Sequence, residues 1–174
     1  MARDVSTLID TLGADEVDLV GYSIGAIVSL IVASHELRVG RLIIGGVGAG
    51  VVERGGVDTR AISADKLAEA LRAQDPSTIT DSAAKAFRTF ADATGPDLVA
   101  LAAQASTAHQ EQIPLEQISA PTLILVGRDD NLATRPQVLA DAIPGAELAV
   151  IGGDHLGAVG DPAFAPAIVE FVSR

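Results

Sequence analysis

Serine is a poor nucleophile until a base takes its proton and an acid holds the base, so chemistry of this kind needs three side chain types in one place. Gly21-Tyr22-Ser23-Ile24-Gly25 sets a serine between two glycines. On a sharp strand-to-helix turn a serine takes strained backbone angles while the neighbouring chain passes close by. Gly21 and Gly25 are expected to remove the side chains that would collide there. Such a turn lifts Ser23 Oγ above a sheet and beside a helix N-terminus, with the Ile24 N–H aimed where a tetrahedral oxyanion would form. The bland alternative is a glycine-rich turn carrying a solvent-exposed serine.

Three histidines could act as the base: His35, His109 and His155. His35 falls at the end of the apolar segment that follows the serine, where a histidine often caps helix carbonyls. His109 sits in a polar stretch, Ser106-Thr107-Ala108-His109-Gln110. His155, in Gly152-Gly153-Asp154-His155, follows a strand-like run directly, and the carboxyl end of a parallel strand is where an α/β sheet keeps its active site. The acid should follow a strand too. Gly127-Arg128-Asp129-Asp130 does, and either aspartate could reach a histidine. Asp154, next to His155 in the chain, would struggle to bridge to its ring. An acidic turn held by aspartate side chain hydrogen bonds is the competing reading of this segment.

The elements needed to hold these residues are legible. Val5, Leu8, Ile9 and Leu12 keep helical spacing, and Gly13 stops them. Val17–Tyr22 reads as a short strand, 24–34 as a buried helix and 41–46 as a second buried strand, which together make a βαβ unit and a parallel sheet. Residues 47–60 are rich in Gly and Val without a clear period. Residues 64–108 read as helical, broken at Asp75-Pro76 and Gly95-Pro96 into three helices. Leu67, Leu71, Phe87, Phe90, Leu98 and Leu101 would supply their apolar faces. Strand texture returns at 121–127, a helix follows at 136–142, a fourth strand at 146–151 and a last helix at 162–172. The expected fold is α/β: a parallel sheet flanked by helices, formed by 1–50 and 120–174, with a small helical cap inserted at 51–119.

Composition narrows the function. The chain has 174 residues, 48% hydrophobic but only 3% aromatic, so its core is built from Ala, Val, Leu and Ile. A net charge of -11 argues against nucleic acid and against an anionic membrane surface. The absence of cysteine excludes disulfides, thiolate catalysis and Cys-based metal sites. Three histidines without close spacing argue against zinc. The N-terminus has no signal-peptide apolar region and no run reaches membrane-spanning length, which makes a soluble cytoplasmic protein the expectation.

The motifs resemble those of the α/β-hydrolase fold family, in its cap-bearing esterase form, over nearly the whole chain. The order Ser, Asp, His is that family's order and differs from those of chymotrypsin and subtilisin. Val17 to Gly25 looks like its nucleophile strand and elbow, Pro121 to Asp130 like its acid strand, and Gly-Asp-His-Leu around His155 like its late histidine loop. The family spacing G-x-x-D selects Asp130 over Asp129. The resemblance implies Ser23 as nucleophile, His155 as general base and then acid, Asp130 as the residue that orients the histidine, and Ile24 with Gly21 and Gly25 as the oxyanion elbow. It implies no metal and no organic cofactor, and a small-molecule acyl substrate such as a carboxylic ester.

Family members carry several strands ahead of the elbow, and a loop among them gives a second oxyanion N–H. Nothing before Val5 resembles that loop, so the chain looks like a family member that begins part of the way in. Losing one oxyanion donor costs on the order of 10²–10³ in kcat. The open edge of Val17–Tyr22 invites self-association. Two other readings keep the same fold: a cofactor-free haloperoxidase-like or acyltransferase relative, and a non-catalytic ligand-binding or interaction protein.

Overall fold

A computed structural model describes residues 1–107 and 109–174. The chain runs α1 (Ala2–Leu12), β1 (Val17–Tyr22), α2 (Ile24–Ala33), β2 (Val39–Gly45), α3 (Ala49–Arg54), α4 (Ala64–Arg72), α5 (Ser82–Thr94), α6 (Leu98–Ser106), β3 (Thr122–Gly127), α7 (Pro136–Ala142), β4 (Glu147–Ile151) and α8 (Phe164–Val172). It divides into two compact units, residues 1–58 with 110–174, and residues 59–109.

The first unit is built on a four-stranded parallel sheet in the order β1-β2-β3-β4. Side chains alternate between its faces. Leu42, Ile44, Ile124 and Val126 join a core with Ile9 of α1, Ala26, Ile27 and Leu30 of α2, and Leu139 of α7. Ile43, Leu123, Leu125 and Ile151 face the other way, onto Phe171, Ala167 and Ile168 of α8. A strand covered on both faces has no polar side to show, which is why β3 is buried at every position. Leu30, Leu42 and Ile124 are wholly buried, each stabilising the fold by about 1.5–3 kcal/mol. In α1 only Ile9 of the expected stripe is buried, while Leu8 and Leu12 remain exposed.

The segment 47–60, without period in the sequence, contains α3. This helix is only six residues long and includes a glycine, so propensity does not mark it. Packing forms it: a Cβ on Gly50 would strike the backbone of Asp58, at 2.9 Å from its Cα. Val51 of α3 and Ile113, Leu115 and Ile118 all lie in the first unit's core. The unit therefore takes in 51–58 and 110–119, stretches expected from the sequence to belong to the cap.

The second unit holds α4, α5 and α6 around Ala68, Leu71, Ala91, Ala102 and Ala105. Its helix starts are capped by side chains: Ser63 for α4, Asp81 for α5 and Asp97 for α6. The expected breaks at Asp75-Pro76 and Gly95-Pro96 both separate helices. The expected helix end near Ala108 falls outside the described residues. Phe90 does not supply an apolar face as expected; it is exposed. The buried face of α5 is instead Ala84, Arg88 and Ala91. The Arg88 guanidinium donates to the Ala70 carbonyl at 2.9 Å and the Ala73 carbonyl at 2.7 Å, closing the C-terminal end of α4, and to Asp92 at 2.8 Å.

Candidate active site

Ser23 sits between the end of β1 and the start of α2, with φ 55° and ψ -118°. A positive φ is rare for a residue with a side chain. Crowding enforces the turn. A Cβ on Gly21 would overlap the Gly25 carbonyl and lie 2.5 Å from Ser29 Oγ. Gly25 departs from expectation: a Cβ there would meet nothing within 4 Å. The steric demand is thus on Gly21 alone, with the Gly25 backbone as the obstacle. Serine at this helix position usually caps a backbone N–H, yet Ser23 makes no such bond. Its hydroxyl lies 2.9 Å from His155 Nε2 instead.

His155 follows β4 in a loop with three glycines at 152, 153 and 157. Several ties hold this loop. Arg128 N–H donates to the Ile151 carbonyl and Asp129 N–H to the Gly153 carbonyl, both from the end of β3. Gly152 N–H donates to Asp161, and Asp154 accepts from the N–H groups of Leu156 and Gly157. The loop passes so close over β3 that a Cβ on Gly127 would run into the Gly153 carbonyl.

The other face of the imidazole chemistry is Asp130, whose Oδ2 lies 2.9 Å from His155 Nδ1. Both residues are buried. Asp130 Oδ1 already accepts the N–H groups of Leu132 at 2.8 Å and Ala133 at 3.2 Å. With Oδ1 held as an acceptor, the arrangement suits an imidazole that donates from Nδ1 to Oδ2 and turns its Nε2 lone pair to Ser23. Ile24 and Gly25 open α2, where the first-turn N–H groups have no partner within the helix.

The remaining candidates lie elsewhere. Asp129 and Asp154 are exposed, and His35 is exposed at the end of α2, with His35 Nδ1 3.5 Å from Ser34 Oγ. His109 belongs to the second unit. Sequence reasoning missed Tyr22: its hydroxyl donates to the His155 carbonyl at 2.8 Å. Burial, with Asp130 and Asp154 nearby, pushes the phenol well above its ordinary range, so it remains a donor. Among the described residues no three His, Cys, Asp or Glu side chains are grouped to hold a metal, and no helix is long and apolar enough to cross a membrane.

A parallel sheet with a strained serine after its first strand, an aspartate after its third and a histidine after its fourth is the frame of one protein class, and residues 1–167 match the Alpha/beta hydrolase family. The chain belongs to that family. Solved structures share the fold at low identity. A hydrolase from Pseudomonas aeruginosa PA01 is 24% identical, with a TM-score of 0.75 over 99% of this chain and 71% of its own. The enol-lactonase from Burkholderia xenovorans LB400 is 19% identical, with a TM-score of 0.76 over 99% and 72%. An esterase from Exiguobacterium antarcticum is 21% identical, with a TM-score of 0.76 over 100% and 73%.

Proposed function

We propose that this protein is a serine hydrolase acting on carboxylic esters or related acyl compounds, with Ser23 as nucleophile, His155 as base and then acid, and Asp130 as the residue that orients the imidazole. The observation that carries the reading is the unbroken line Ser23 Oγ–His155 Nε2 and His155 Nδ1–Asp130 Oδ2, each link 2.9 Å long. Ser23 Oγ attacks the acyl carbon as its proton passes to Nε2. The oxyanion forms against the Ile24 N–H. Nε2 then gives the proton to the leaving alkoxide, and a water activated by the same nitrogen releases the acid and restores the serine. Fold relatives named as an esterase and an enol-lactonase are consistent with cleavage of an ester linkage. The substrate is a small-molecule acyl compound, and the chemistry calls on no cofactor.

A fluorophosphonate probe tests this directly, because it labels only an activated serine. Wild-type protein should label and should hydrolyse a short-chain aryl ester. Ser23→Ala should abolish both. Labelling that survives the substitution would remove Ser23 from the mechanism. A folded wild-type protein that never labels would favour a ligand-binding role on the same fold.

A further inference from the structure

Tyr22 is the only tyrosine in a chain with four phenylalanines and no tryptophan. Its ring lies against the imidazole of His155, with centroids 5.3 Å apart and planes at 44°, and meets Phe164 edge-on at 5.9 Å. Beneath it, β2 and the turn that follows carry two glycines. A Cβ on Gly45 would come within 2.6 Å of Tyr22 Cδ2, and one on Gly46 within 2.7 Å of Tyr22 Cζ and 3.0 Å of His155 Cε1. The sheet is thus cleared of side chains where the phenol reaches across to the histidine loop.

Adjacency to Ser23 gives the hydroxyl bond its meaning. The loop ties described above run to β3, to Asp161 and within the loop itself. The bond from Tyr22 Oη to the His155 carbonyl joins the backbone of the histidine to the residue immediately before the serine, across 133 positions of sequence. We infer that Tyr22 is a positioning residue, which sets the reach of His155 Nε2 to Ser23 Oγ by holding the main chain of a glycine-rich loop. The inference rests on the assignment of Ser23 and His155 as the working pair. Glycines make a loop conformationally permissive, and a misplacement of about 1 Å in a catalytic group costs on the order of 10²-fold in rate.

Tyr22→Phe removes the hydroxyl and keeps the ring. Expected is a folded variant whose kcat for a short-chain aryl ester falls about 10–100-fold while KM stays within about two-fold, with a matching fall in the rate of fluorophosphonate labelling. A second readout needs no turnover: the proton on His155 Nδ1, observed by NMR in protein with labelled histidine, should broaden and exchange faster in Tyr22→Phe than in wild type. A variant that melts earlier yet keeps wild-type kcat and a wild-type Nδ1 proton would show that the bond serves the fold alone, and would overturn the inference. Failure of the hydrolase reading looks different. Wild type would then be inert to the probe, and the NMR comparison would still decide whether Tyr22 orders the imidazole: a sharp, unchanged Nδ1 proton in the variant would sink the inference by itself.

Discussion

Asp129 and Asp130 are neighbours in the chain, and the turn after β3 sends one to solvent and one under the imidazole. The two N–H groups on Asp130 Oδ1 make a substitution there informative. In Asp130→Asn they would claim the amide oxygen and leave the NH₂ facing His155 Nδ1. Nδ1 would then have to accept, Nε2 would carry the proton, and Ser23 would lose its base. The kcat of Asp130→Asn should fall roughly 10⁴-fold, and that of Asp129→Asn should stay close to wild type. A steady-state ester assay on both variants checks this, and the reverse ranking would overturn the assignment. At this scale much was legible in the sequence. The glycines around Ser23, the G-x-x-D spacing and the His155 loop named the side chains that the fold brings together. Tyr22 was not legible, because its role depends on a contact between segments far apart in sequence. Nor was the openness around Gly25, since crowding belongs to the assembled turn.

Helices were readable wherever a stripe of large apolar residues met a cap, and misread where the packing was polar or small. In α5 the eye follows Phe87 and Phe90, but the buried positions 84, 88 and 91 hold two alanines and an arginine. A buried guanidinium looks like an error in a hydrophobic pattern until its partners are known: two carbonyls at the end of another helix, and Asp92 one turn along its own. Arg88→Met keeps the volume and removes the donors, leaving the Ala70 and Ala73 carbonyls short of partners. It should destabilise the second unit by about 2 kcal/mol. Native-state limited proteolysis should then cut within 59–109 sooner than in wild type. An unchanged cleavage pattern would mean that water replaces the guanidinium without loss. Helix α3 went unread for the opposite reason: six residues with little intrinsic preference become helical only because the first unit's core encloses Ala49, Gly50 and Val51.

Across the molecule, the strand order places β1 at the rim of the described sheet. The N–H groups of Val17 and Ser23 bond to the carbonyls of Arg38 and Gly45, so by alternation the main-chain groups of Asp18, Val20 and Tyr22 point away from β2. Val20 is 54% exposed, and Asp18 is the only charge on the strand. An edge with so little to guard it favours pairing with another edge, and a net charge of -11 opposes the approach of a second copy. The expected outcome is salt-dependent self-association, growing with protein concentration and with ionic strength, and suppressed by Val20→Lys. Light scattering after size-exclusion chromatography reads it. A monodisperse monomer at all salt concentrations would show that the rim is adequately protected. The sequence told which strand this is and that it is apolar. The part that 51–58 and 110–119 play in the first unit's core was not legible, because the residues that carry it follow no simple period.

The backbone at Ser23 has a bearing on how such a protein changes under selection. Its angles suit glycine and cost a serine on the order of 1–3 kcal/mol. On the proposed reading, the nucleophile is therefore a residue ill suited to the turn it occupies. On that reading, selection for thermal endurance alone would favour glycine at position 23, and the protein it favoured would be sturdier and inert. Only selection that includes turnover keeps the hydroxyl in place.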